Sequence, residues 1–131
     1  MSNHCACVWV NVDCFSDVFS ERHPVARKNH WCCECGGVIQ KGEKYEHHSG
    51  QWDGEWQVFK TCLDCADIKD RLFCEGYIYT TVVDDLINHI QDVQGDISEE
   101  CLLSLRPKAR EMVLGLIDEF VIQPFLDEED G

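Results

Sequence analysis

Positive charge is scarce in this sequence. Eleven Lys and Arg stand against 25 Asp and Glu over 131 residues, a formal net charge of −14, and that balance argues against a non-specific phosphate-binding surface. Long apolar runs are missing too. No stretch approaches the roughly 18 to 20 residues that a spanning helix needs, and the opening Met1-Ser2-Asn3-His4-Cys5 has neither the basic patch nor the apolar stretch of a secretory signal. No repeat at solenoid spacing is visible. These absences lead to the expectation of a soluble, cytoplasmic protein. With 44% hydrophobic residues the chain can bury one moderate core, as one compact domain or as two small modules sharing an interface.

Cysteine, by contrast, is abundant at ten residues. In an exported chain of this size that count would suggest a disulfide framework; without a leader, thiols are expected to stay reduced, and paired Cys-x-x-Cys spacings point to metal. Two such pairs, Cys32/Cys35 and Cys62/Cys65, are separated by 26 residues. Each supplies two soft ligands with little strain, and together they complete the tetrahedron of one structural Zn²⁺. Four cysteines leave no open position for water, so catalytic zinc is disfavoured and no catalytic residues are assigned.

The residues around the pairs read as a zinc knuckle, a hairpin and a helix. Gly36-Gly37 after the first pair permits a tight turn whose N–H groups approach sulfur. Strand-like runs 43–49 and 55–61 flank Gln51-Trp52-Asp53-Gly54, where Asp-Gly signals a hairpin. The second pair then opens a helix on which Cys65, Ile68 and Leu72 share one face, with Thr61 or Cys62 at its start. A helix N-terminus suits a thiolate. Further on, Thr80 or Thr81 with Asp84 resembles a capping box. It precedes an apolar stripe of Val82, Val83, Leu86, Ile87, Ile90 and Val93. Ser98 opens a short turn, and Pro107 opens a last helix striped by Met112, Val113, Leu116, Ile117, Phe120 and Val121 and ended by Pro124. Residues 1–31 show no helical period and read as an extended arm that wraps something else, with one short strand at 8–12.

The predicted architecture is therefore α+β: a treble-clef-like zinc knuckle and β-hairpin module with its N-terminal arm, residues 1–75, packed on a small C-terminal helical unit, residues 76–124, followed by an acidic tail, 125–131. A second candidate metal site comprises Cys5, Cys7, Cys33 and Cys74, which flank the first; their alternative role is as small buried hydrophobes. Cys14 and Cys101 have no partner by spacing and read as core or surface thiols. His47 and His48, adjacent on one strand, point to opposite faces and read as ordinary hairpin residues. An endonuclease of the His-Asn-His type would need a metal-binding His on the helix, and residues 63–73 contain none.

The run Ala26-Arg27-Lys28-Asn29-His30-Trp31-Cys32-Cys33-Glu34-Cys35-Gly36, followed by Gly42-Glu43-Lys44-Tyr45, Gly50-Gln51-Trp52-Asp53-Gly54 and Thr61-Cys62-Leu63-Asp64-Cys65, resembles small uncharacterised zinc proteins of tailed bacteriophages and prophages. Their pattern includes an N-terminal Cys-x-Cys, matched by Cys5 and Cys7, and a later Cys, matched by Cys74. The resemblance covers roughly residues 1–90. It implies a phage or mobile-element origin, and so a bacterial host cytoplasm, but carries no activity.

Charge is unevenly placed along the chain. Residues 1–31 are neutral, residues 32–74 carry eight acids and five bases, and residues 75–131 carry fourteen acids and three bases. The expected function is non-enzymatic protein binding through an acidic helical surface of Asp84, Asp85, Asp92, Asp96, Glu99, Glu100, Glu111, Asp118 and Glu119. Dense carboxylates there would imitate a phosphate backbone and inhibit a host nucleic-acid-binding or immunity complex. Direct nucleic-acid binding is the alternative, through Trp31, Tyr45, Trp52, Trp56 and Phe59 interleaved with Lys41, Lys44 and Lys60. Oligomeric state is not legible.

Overall fold

A computed structural model of the chain describes Val8, Val10, residues 18–73 and residues 76–124. It is a mixed α+β structure with small antiparallel sheets and four α-helices among those residues. None of these helices is long and apolar enough to cross a membrane. The acidic tail and most of the strand expected at 8–12 lie outside the described residues.

The hairpin forms where Asp-Gly places it. Strand β4 (Tyr45–Trp52) pairs with β5 (Glu55–Cys62) from Tyr45↔Cys62 to Trp52↔Glu55. The two turn residues, Asp53 and Gly54, both have positive φ, 52° and 80°, the geometry that matches the twist of the strands. A third strand, β1 (Val18–Arg22), adds to the other edge of β4, giving the order β1-β4-β5. This strand lies in the stretch expected to be an extended arm. Val18-Phe19-Ser20-Glu21-Arg22 lacks clean alternation, and its pairing is set by the free edge of β4. A separate two-stranded ribbon, β2 (His30–Trp31) with β3 (Val38–Ile39), encloses the first cysteine pair.

Helix α1 (Leu63–Leu72) leaves β5 without a loop. Its buried face of Cys65, Ile68 and Leu72 is the expected one, and it serves two apolar clusters. Cys65 joins Ala26, Cys32, Ile39 and Tyr45 in a small one. Ile68 and Leu72 join the larger one, with Val82, Leu86 and Ile90 of α2 (Val82–Asp92), Cys101 of α3 (Glu99–Ser104), and Ala109 and Val113 of α4 (Pro107–Ile117). Ser98 caps α3, its side chain accepting from Cys101 N–H at 3.1 Å, and Pro107 opens α4. The last helix continues as a π-helical turn over Asp118–Ile122. The arm does not wrap a foreign surface at Val8, which is buried in the larger core and donates its N–H to Leu72 O at 2.7 Å.

The sheet also buries charge. Glu46 and His48 point to the same face of β4, and Lys69 of α1 reaches across to place Nζ 2.7 Å from Glu46 Oε1. That ammonium is 2% exposed as a residue and lies 4.2 Å from the Tyr77 ring centre. Burial pushes the Glu46 carboxyl up, but contact with His48 and Lys69 more than reverses this and brings it down to about 2. Its contribution to stability is therefore complete above the ordinary carboxylate range and is lost as pH falls through about 2.

Replacing Glu46 by Met leaves the ammonium buried without its counter-charge. That change should cost about 3–5 kcal/mol in urea unfolding at neutral pH, and Glu46→Met/Lys69→Met should recover most of the loss. Equal destabilisation in the single and double variants would show that the pair is not the source.

Candidate metal centre

Cys32, Cys35, Cys62 and Cys65 come together, their four Sγ atoms all within 4.8 Å of one another. Two come from the turn between β2 and β3 and two from the junction of β5 with α1. Cys35 Sγ and Cys62 Sγ are 3.9 Å apart, close to the ~3.8 Å edge of a tetrahedron of sulfurs with bonds of ~2.3 Å to a central ion. The arrangement is compatible with a metal site.

Local backbone prepares Cys32, Cys35 and Cys62 for negative charge on sulfur. Glu34 N–H and Cys62 N–H both donate to Cys32 Sγ at 3.4 Å, Gly37 N–H donates to Cys35 Sγ at 3.4 Å, and Cys65 N–H donates to Cys62 Sγ at 3.5 Å. The last of these makes Cys62 the N-cap of α1. The glycines after the first pair are steric requirements: Gly36 has φ of +74°, and a Cβ on Gly37 would sit 3.3 Å from Cys35 Sγ. Contacts with Cys35, Cys62 and Cys65 pull the Cys32 thiol well below its usual range. A cation at the centre would relieve the crowding of the four thiols by replacing their protons.

The other cysteines behave differently. Burial pushes the Cys33 thiol up to about 12, and its Sγ lies 3.4 Å from Thr61 Oγ1. Cys5, Cys7 and Cys74, with which it was grouped as a candidate second site, lie outside the described residues. Cys101, expected as a core or surface thiol, is buried in the larger core and disulfide-bonded. Sequence spacing does not report a pair created by tertiary approach.

Glu34, between the two knuckle ligands, was not singled out by its sequence. Its carboxylate accepts from Thr80 N–H at 2.9 Å and from Val82 N–H at 3.1 Å, so it caps α2 from across the fold. The expected capping box at Thr81 and Asp84 is not formed: Thr81 makes no side-chain cap bond and instead donates to Asp85 Oδ2 at 2.8 Å. The Thr81 hydroxyl is drawn instead to Ile78 O and Asp85 Oδ2, and the N–H groups on either side of Thr81 are satisfied by the knuckle carboxylate.

His48, read as an ordinary hairpin residue, is instead buried, with its Nδ1 bonded to Tyr79 Oη. The aromatic residues divide. Trp31 and Trp56 are exposed, Tyr45 is buried, and Trp52 and Phe59 pack on Tyr79, the Phe59 ring stacked at 4.2 Å. Of the acidic surface residues, Asp84, Asp92, Asp96, Glu99, Glu100, Glu111, Asp118 and Glu119 are exposed, while Asp85 is half-buried against Thr81. A cleft of about 400 Å³ separates α2 from α4, with Cys35 and Cys65 among its walls and Glu34, Glu111 and Glu119 among its carboxylates.

Comparison with protein-family models, curated proteins and solved structures finds no match to the chain.

Removing the metal with a chelator should unfold the knuckle and the first turn of α1 and lower the melting temperature sharply, as followed by circular dichroism. An unchanged melting curve in fully metal-free protein would contradict a structural ion. Separately, Glu34→Ala should cost about 0.5–2 kcal/mol, the scale of a lost helix cap, with metal stoichiometry unchanged; loss of the metal would instead place Glu34 in the site.

Proposed function

We propose that the chain is a non-enzymatic, zinc-stabilised acidic protein that binds a protein partner through its C-terminal helices. Zinc is the ion that the donor set favours, because four thiolates in a tetrahedron suit a borderline-soft ion without geometric preference. Knuckle, hairpin and helix follow one another with ligand pairs at the knuckle and at the helix start, and we read this order as treble-clef-like. Four sulfurs close the coordination shell and leave the ion no place for substrate or water, which favours a structural role over a catalytic one.

The observation that carries the binding reading is the exposure of eight carboxylates on or beside α2, α3 and α4. The same region, residues 75–131, has three cationic residues against fourteen acidic ones, and one of the three, Arg106, pairs with Asp64, its Nε 3.4 Å from Asp64 Oδ1. Such a surface imitates a run of phosphates and fits a partner that itself binds nucleic acid. The resemblance to zinc proteins of tailed phages makes a host nucleic-acid-binding or immunity complex, in the bacterial cytoplasm, the natural partner class.

A second reading rests on Trp31 and Trp56, which are 72% and 60% exposed and could stack on the bases of a single strand. Quenching of tryptophan fluorescence by single-stranded DNA at low salt tests it directly.

For the first reading, the tagged protein is incubated with nuclease-treated bacterial lysate and the captured proteins are identified. Nucleic-acid-binding proteins should be enriched, displaced by added DNA, and lost at least tenfold with Asp84→Lys/Asp92→Lys/Glu119→Lys, a variant of exposed residues that should melt like the parent. Undiminished capture by the triple variant would refute charge mimicry.

A further inference from the structure

Away from the cysteines, Glu21, His23 and Glu46 form a second cluster whose donor atoms all lie within 4.8 Å of one another. His23 Nε2 is 3.3 Å from Glu21 Oε2 and 3.9 Å from Glu46 Oε2. Behind them stands His48, whose Nε2 is 3.4 Å from Glu21 Oε1 and 2.9 Å from Glu46 Oε1. Cross-strand pairing of Glu21 with His48 in β1 and β4 fixes the inner half of this group.

We propose that Glu21, His23, Glu46 and His48 form a binding site for a first-row divalent transition metal, distinct from the thiolate centre. Three features carry the assignment. The donor atoms of Glu21, His23 and Glu46 all lie within 4.8 Å of one another, and His23 Nε2 stands 3.3 and 3.9 Å from the two Oε2 atoms, near the ~3.3–3.4 Å edge of a tetrahedron of N and O donors with bonds of ~2.0–2.1 Å, while His48 faces the same carboxylates through their Oε1 atoms. His48 is 3% exposed, and its Nε2 has no hydrogen-bond partner despite the nearby carboxylates. Most buried side-chain polar atoms find a hydrogen-bond partner; among the described residues His47 Nδ1, His48 Nε2 and His89 Nε2 do not, and of these it is His48 Nε2 that faces two carboxylates, at 3.4 and 2.9 Å, as a metal ligand would. The other ring nitrogen is held by Tyr79 Oη, the outer contact that orients a metal-ligating histidine.

Charge agrees with this. Glu21 and Glu46 bring two negative charges, and Lys69, 2.7 Å from Glu46 Oε1, compensates one of them. Its position leaves Glu46 Oε2, the oxygen that faces His23, for the ion. Two imidazoles and two carboxylates select intermediate ions over the soft ions that prefer thiolate, so the two centres would not compete for the same geometry. The outer ligands, His23 and Glu21, are about half exposed at their side chains, 53% and 43%, which gives an ion a route from solvent.

Cobalt reports the difference between the centres. Full-length protein holding one Zn²⁺ per chain is titrated with Co²⁺ and followed by visible absorption. The expected result is one additional equivalent, with d–d bands but without the sulfur-to-cobalt charge-transfer band of a thiolate site. His23→Ala and Glu21→Gln, both at solvent-accessible positions, should abolish those bands, and Cys33→Ser should leave them intact. Tyr79→Phe should weaken binding by about tenfold or more, as expected for loss of an orienting outer contact. Absence of the bands up to millimolar Co²⁺, or bands insensitive to both ligand variants, would overturn the assignment.

Discussion

The approach of four sulfur atoms to within 4.8 Å of one another is the constraint on which the rest of the chain is arranged. It joins the turn between β2 and β3 to the point where β5 becomes α1, and among the described residues the apolar cluster beside them has five buried members. A cluster of that size contributes little compared with the entropy of ordering the knuckle. A metal ion shared by both pairs would supply what apolar burial does not. The N–H donors from Glu34, Gly37, Cys62 and Cys65 spread the resulting negative charge into the backbone.

From this centre, order is passed to the helices by two routes. One is α1 itself, which carries Cys65 in the small cluster and Ile68 and Leu72 in the large one. The other is Glu34, which lies between two ligands and satisfies N–H groups at the start of α2. A helix end left without partners inside a fold is unfavourable, so the position of α2 is tied to the conformation of the knuckle. The acidic face on α2 to α4 is held relative to the cysteines by these two links.

On the other side of the hairpin the packing is polar. Glu46, His48, Lys69, Tyr77 and Tyr79 meet under the sheet, with Glu21 and His23 at the rim. A hydrophobic filling would be the simpler way to stabilise such an interface, since desolvating an ion pair offsets most of its attraction. The retention of two carboxylates, two imidazoles and an ammonium in one place is what a ligand-binding group of residues requires.

Much of this was legible in local sequence because the deciding physics is local. Asp53-Gly54 specifies a turn with positive φ, Cys-x-x-Cys with following glycines specifies a knuckle, and the period of Cys65, Ile68 and Leu72 specifies a helix face. The predicted α+β class, the hairpin, the capping serine at Ser98 and the start of α4 at Pro107 follow from such short-range rules. What tertiary structure alone decided involves residues far apart in the chain. The pairing of β1 depends on an open edge of β4 25 residues or more downstream, by registers such as Arg22↔His47 and Glu21↔His48 that weak alternation does not encode. The start of α2 is held by Glu34, whose carboxylate accepts from N–H groups 46 and 48 residues further along the chain, while the Thr81 hydroxyl turns to Asp85. His48 looked ordinary because a strand position states which face a side chain takes, and what waits on that face is settled only when helix, sheet and arm close around it.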